Sequence, residues 1–77
     1  MHISKELFII NLGVYIRQLR EKRNMSQEDL AVDCNISKRQ IGRIERGETN
    51  VSLGTLILIS NALDIEPKAL LDFTMKQ

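Results

Sequence analysis

Apolar positions recur at helical spacing in five separate stretches of this 77-residue chain, each set off from the next by a short polar break. Leu12, Ile16 and Leu19 fall at i, i+4 and i+7 with Arg17, Glu21 and Lys22 off that face, which predicts a first helix from about Ser4 to Arg23. Its first turns, Leu7, Phe8, Ile9 and Ile10, are apolar nearly all round. A surface helix has no use for that, so the C-terminal segment or a second subunit is expected to cover part of it. Asn24-Met25-Ser26 then breaks the pattern, and Ser26 with Asp29 three residues later has the form of a capping box opening a second helix over Gln27 to Cys34. Leu30, Ala31 and Cys34 face inward there. Asn35 tolerates the left-handed conformation needed to stop a helix and turn sharply. Ser37 caps a third helix from Lys38 to Arg46, apolar only at Ile41 and Ile44, which Gly47 ends.

Ser52 announces a fourth helix that runs to about Leu63. At about 100° per residue, Leu53, Leu56, Ile57, Ile59 and Leu63 share one broad face while Leu58 and Ala62 fall outside it. Leu58 is left without an intramolecular reason for being apolar. Pro67 suits a first helical position, so a short fifth helix is expected from Lys68 to about Thr74, with Leu70, Leu71 and Phe73 to bury. There is no internal repeat, linker or low-complexity run.

Composition agrees with an all-α fold: 43% of residues are apolar, with Leu and Ile dominant, against one Pro and four Gly. The length predicts a single domain over residues 1–77, close to the smallest that one apolar core sustains without staples. One cysteine, Cys34, permits no internal disulfide, and with His2 as the only histidine no zinc cluster can form. No apolar run approaches the roughly 20 residues of a membrane span, and the N-terminal run is too short for a signal peptide. An intracellular, cytoplasmic protein is the expectation. Net charge is only +1, but it is unevenly spread. Residues 17–46 hold eight Lys/Arg against five Asp/Glu, while residues 47–77 hold two against four. Such a split suggests one face for a polyanion and another for something else.

The basic part coincides with the second and third helices. Two short helices joined by a tight turn bring a polar second helix into the DNA major groove, provided its inner side is apolar and small enough to sit on the rest of the domain. Leu30, Ala31, Ile36, Ile41 and Ile44 supply that inner side, with the turn at Asn35 and the small Ala31 where the helices must approach closely. This is the spacing of a helix-turn-helix, over about residues 27–46.

From about Leu12 onward the chain resembles the Cro/C1-type (XRE) helix-turn-helix family of phage-repressor-like transcription regulators. The Ser-Gln-Glu-x-Leu-Ala opening of the second helix, the Ile-x-x-Ile-Glu-x-Gly end of the third and the Ser-Leu-x-Thr-Leu opening of the fourth occur in order and at family spacing. Asn35 departs from the Gly usual there. The resemblance implies a compact five-helix, lambda-repressor-like DNA-binding domain, and the apolar N-terminal extension is similar to that of the small stand-alone controllers and antitoxin-like members.

On a wheel of the third helix, Ile41 and Ile44 set the buried direction, while Arg39, Gly42 and Arg43 point the other way with Lys38 at their edge. Arg39 and Arg43, one turn apart, suit bidentate contact with guanine and are the first candidates for base readout. Gln40 and Lys38 are the next. Gly42 either admits close approach to the groove or reflects drift at an exposed position. Ser37, at the helix N-terminus, favours a phosphate. The resemblance implies further phosphate contacts by Gln27, which also braces the third helix, and by Thr49 and Asn50. It implies a structural salt bridge between Arg20 and Glu45, with a phosphate contact by Arg20 as a secondary role.

No nucleophile with a nearby base, carboxylate pair, metal cluster or Gly-rich phosphate loop is present, so an enzyme is not expected, nor a cofactor or small-molecule ligand. One domain reads few base pairs, so useful affinity calls for a homodimer on a palindromic double-stranded site. Its interface is expected at Leu58, Ile65, Leu71 and Phe73, within or near a C-terminal segment 64–77. The rival reading is an antitoxin-type module that binds a partner toxin as well as DNA.

Overall fold

A computed structural model describes residues 2–76. Four α-helices follow one another, α1 (Lys5–Lys22), α2 (Gln27–Cys34), α3 (Lys38–Glu45) and α4 (Leu53–Ala62), and a 3-10 helix (Pro67–Leu71) comes last. No strand occurs among the described residues.

The helices are bounded alike. Ser4, Ser26, Ser37 and Ser52 each accept a hydrogen bond from a backbone N–H of the first turn that follows, satisfying one of the donors a helix start leaves free. At the other end Asn24, Asn35, Gly47 and Asp64 take positive φ between 56° and 71°. In each case the N–H of the next residue reaches back to a carbonyl five positions earlier: Met25 to Arg20, Ile36 to Ala31, Glu48 to Arg43, Ile65 to Ser60. These are Schellman ends.

The core gathers Leu12 and Ile16 from α1, Leu30, Ala31 and Cys34 from α2, Ile41 and Ile44 from α3, and Leu56, Ile59, Leu63 and Leu70 beyond them. The Cys34 thiol lies 3.6 Å from the Leu58 carbonyl, and burial raises its pKa, which suits a small core residue. At Gly13 an added Cβ would fall on the Ile44 carbonyl oxygen and within 2.8 Å of that of Glu45, so α1 and α3 touch backbone to backbone.

Two expectations need correction. The fifth helix is a short 3-10 helix, so the described residues form four α-helices. Glu66 provides no side-chain cap, and past Asp72 the chain lies along α1 instead of coiling on. Phe73 sits there between Phe8 and Tyr15, ring centroids 5.2 and 5.6 Å away, and Asn11 exchanges two hydrogen bonds of 3.0 Å with the backbone of Lys76. The C-terminal segment thus covers part of the apolar start of α1, as that helix requires. The second correction concerns α4, whose inward face is Leu56, Ile59, Ser60 and Leu63, while Leu53 and Ile57 stand in solvent. Ser60 is fully buried because its hydroxyl donates to the Ile57 carbonyl at 2.8 Å, and a reading by hydropathy leaves it out and rotates the face.

Of the four residues expected at a subunit interface, Leu58 and Leu71 are exposed. Ile65 and Phe73 are half-buried against the protomer's own core.

Candidate nucleic-acid interface

The turn between α2 and α3 is built from local chemistry. Asn35 at φ 56° closes α2, and Ile36 sends its N–H back to Ala31 and its side chain toward the core. Ser37 starts α3 through a capping box: its hydroxyl accepts from the Gln40 N–H at 3.0 Å and its own N–H donates to the Gln40 side chain at 3.2 Å. Ser37 and the Gln40 carbonyl oxygen are therefore occupied at the helix start, which leaves the Gln40 amide NH2 pointing outward for other partners.

With Ile41 and Ile44 buried, the opposite side of α3 carries Lys38, Arg39, Gln40 and Arg43, all exposed. Lys38, Arg39 and Arg43 enter no ion pair among the described residues. Gly42 is not open, because the Arg46 guanidinium lies over it: a Cβ there would stand 2.9 Å from Arg46 Nη1.

Arg20 and Glu45 form the expected pair, and form it in the interior. Arg20 Nε and Nη2 donate to the two Glu45 oxygens at 2.7 and 3.1 Å, with the side chains 9% and 2% exposed. Arg20 Nη1 donates to the Met25 carbonyl at 2.7 Å, and Gln27 Nε2 donates to Glu45 at 3.0 Å. The network ties α1, α2 and α3 together, and no described buried side-chain polar atom is left unsatisfied. The hydrogen bond from Arg20 to Glu45 raises the guanidinium pKa further, against the opposing effect of burial. Three of the Arg20 donors are thus spent inside the protein, and the residue is 7% exposed. Gln27 braces α3 through Glu45 as expected.

A cleft of about 90 Å³ runs between α3, the following loop and the start of α4, lined by Gln40, Arg43, Ile44, Thr49, Asn50, Val51 and Thr55. It brings the readout candidates Gln40 and Arg43 together with the phosphate candidates Thr49 and Asn50. Thr49 Oγ1 donates to the Asn50 carbonyl at 3.3 Å, a turn-forming contact, and Asn50 is exposed. Thr55 belongs to this group and sequence reasoning missed it. Its signal was the Ser52-x-x-Thr55 spacing, which reads as a cap alone; the Ser52 hydroxyl donates to that of Thr55 at 3.0 Å. No group of His, Cys, Asp or Glu among the described residues is arranged to hold a metal, and no described helix is long and apolar enough to cross a membrane.

Comparison with known proteins fits this geometry. The helix-turn-helix family model HTH_3 matches residues 16–70. The chain is 52% identical over 63 residues to the control protein C.BamHI of Bacillus amyloliquefaciens, covering 80% of this chain and 78% of that protein. It is 41% identical to the control protein C.SmaI of Serratia marcescens, over 78% of this chain and 71% of that one. Among solved structures it is similar to the restriction-modification controller protein C.AhdI from Aeromonas hydrophila, with a TM-score of 0.79 and 39% identity over 80% of this chain and 94% of that one. It is also similar to C.Esp1396I bound to a 25 base pair operator site, with a TM-score of 0.75 and 28% identity over 82% and 83% of the two chains. A shared family model, close relatives and a matching arrangement of α2 and α3 lead to one conclusion: the chain belongs to the helix-turn-helix family and is a DNA-binding transcription regulator, not an enzyme.

Proposed function

We propose that this regulator works as a homodimer in the cytoplasm, seating α3 of each protomer in the major groove of a palindromic operator that controls restriction-modification genes. The observation that carries the reading is the pair Arg39 and Arg43, one turn apart, exposed and without ion-pair partners among the described residues, on the side of α3 away from the core. Each fork suits the O6 and N7 edge of a guanine. Gln40 and Lys38 extend this readout. Gln27, Ser37, Thr49 and Asn50 are the phosphate candidates, to which the lining of the cleft adds Thr55. The relatives named above are controllers, which favours this reading over a toxin-binding one.

Dimerisation is supported by α4, which is apolar on every side yet leaves Leu53 77% exposed, with Ile57 and Leu58 also in solvent. A helix of that kind is normally buried all round. Leu53 and Leu71 line an apolar groove of about 660 Å³ with Ile3, Phe8, Ile9 and Leu56.

Selection of bound duplexes from a random pool tests the reading, with a palindrome bearing G in each half-site as the expected result. Arg39→Ala and Arg43→Ala should each lower operator affinity by about 1–3 kcal/mol per half-site and relax the preference at one base pair. Fluorescence anisotropy at two salt concentrations is the measurement. Failure of the unmodified protein to bind duplex DNA at low salt would sink the proposal.

A further inference from the structure

Arg46 is the residue just past α3, and its αR backbone (φ −86°, ψ −1°) continues the helical path. Arg39, Arg43 and Arg46 therefore stand at i, i+4 and i+7, within about 60° of one another around the axis. The face offered to DNA has three arginines, and the third is restrained. Glu48 grips it from the side, with Nε to Oε2 at 2.8 Å and Nη2 to Oε1 at 3.3 Å, a fork-to-fork pair of the kind a phosphate would make.

The backbone holds this pair in place. Gly47 turns at φ 71°, where an added Cβ would also meet Ile10 at 2.8 Å. The Glu48 N–H returns to the Arg43 carbonyl at 2.9 Å, so the Schellman end of α3 sets the carboxylate beside the arginine face. Gly42 leaves the space over which the Arg46 guanidinium folds. The hydrogen bond from Arg46, helped by the charges of Arg46 and Arg43, holds the Glu48 carboxyl below its usual range. Both side chains remain about half exposed, 57% for Arg46 and 50% for Glu48, so a phosphate can make the Nε/Nη2 fork with Arg46 only by replacing the carboxylate, and elsewhere meets a guanidinium whose charge Glu48 offsets.

We propose that Glu48 is a specificity-determining residue: by occupying Arg46 it withholds one cation per protomer from phosphates that any DNA offers, and so suppresses binding to non-cognate sequence. This rests on the DNA-binding reading above. Base readout by Arg39 and Arg43 is left intact, because neither is paired with Glu48.

The test compares the full chain with Glu48→Gln, Arg46→Ala and the double variant, each checked for an unchanged thermal transition. Two duplexes are titrated over a range of salt: one selected from a random pool by the unmodified protein, and one of mixed sequence. Glu48→Gln should tighten binding to the mixed duplex on the order of tenfold and steepen its log–log salt slope by about one unit per protomer. Affinity for the selected duplex should rise less, so that discrimination falls. Arg46→Ala alone, which leaves the Glu48 carboxylate unpaired, should not tighten binding to the mixed duplex, and in the double variant the gain over the unmodified protein should disappear. An equal gain on both duplexes, or a gain that persists without Arg46, would overturn the proposal, since either means that only bulk charge was removed. An unchanged mixed-duplex affinity in Glu48→Gln would do the same. Absence of DNA binding by the unmodified protein is a different failure and strikes the underlying reading.

Discussion

A methyl group at position 13 has nowhere to go, because it would collide with main-chain carbonyls of Ile44 and Glu45 and neither can rotate aside as a side chain would. Gly13→Ala is therefore expected to destabilise the fold by about 3 kcal/mol, the upper end for overpacking, where an unconstrained helix interior would gain about 1 kcal/mol from the same change. Urea denaturation followed by circular dichroism decides the sign, and a midpoint at or above that of the parent would show that α1 and α3 can separate without penalty. Nothing in the sequence marks this position, since a glycine inside a helical pattern looks like a weak point and its role depends on what crosses over it. Arg20 and Glu45 are the opposite case. By charge alone they belonged to a basic patch, and only the family spacing placed them together. The structure adds why they must pair: at 9% and 2% side-chain exposure, either one alone would be an uncompensated buried charge.

At the scale of elements, the caps Ser26, Ser37 and Ser52 were readable, because a hydroxyl before an apolar run has a specific job at a helix start, whereas Ser4 was counted into its helix and not as its cap. The helix ends were less so. Asn35 and Gly47 were clear stops, whereas Asp64 at φ 56° is a residue type that enters the left-handed region only with help from its context. Asn35→Ala should cost about 1 kcal/mol through left-handed strain, while Asn35→Gly should stay within a few tenths of the parent. Thermal unfolding of the pair checks this, and equal losses would mean that the Asn side chain, not its backbone conformation, matters at the turn. The capping box of α2 gives a pH signature. Asp29 accepts the Ser26 N–H at 2.9 Å, and this bond, followed by the one with the Ser26 side chain, lowers its pKa from 3.8. A depressed carboxylate stabilises the fold above its unfolded value and loses that contribution as pH falls through its folded value. The stability difference between the parent and Asp29→Asn should thus be constant near neutrality and shrink below about pH 4, as urea titrations at successive pH values would reveal. The fifth helix and the α4 face were misjudged for different reasons: Phe73 reaching across α1 is a tertiary demand that outweighs local pattern, whereas Ser60 is satisfied within α4 itself by the Ile57 carbonyl and can be buried despite its polarity.

For the whole molecule, the decisive fact is how α3 and α4 are arranged. α3 packs on α1 and α2, while α4 packs on α2 and the 3-10 helix, so the arginine face and the exposed apolar face are carried by different helices. Two copies joined through α4 and stacked across the short dimension of 21–22 Å would have centres about that far apart. Half-sites one turn apart require roughly 34 Å between recognition helices. That spacing is reached only if each α3 lies outboard of its protomer's centre. Ile57 sits on the outward side of α4 and is 48% exposed, so an aspartate there should leave the protomer folded and place a charge in an apolar contact. Ile57→Asp is expected to sediment as a monomer at concentrations where the parent is a dimer, with its helical circular dichroism retained. Val32→Asp, on α2 and 67% exposed, serves as the control and should keep the dimer mass. Operator affinity should fall steeply in Ile57→Asp while affinity for a single half-site is preserved, because each α3 is intact and only its partner is missing. Should Ile57→Asp remain a dimer with Val32→Asp monomeric, the two-fold axis would lie beside α2, and the spacing argument would have to be rebuilt around that face.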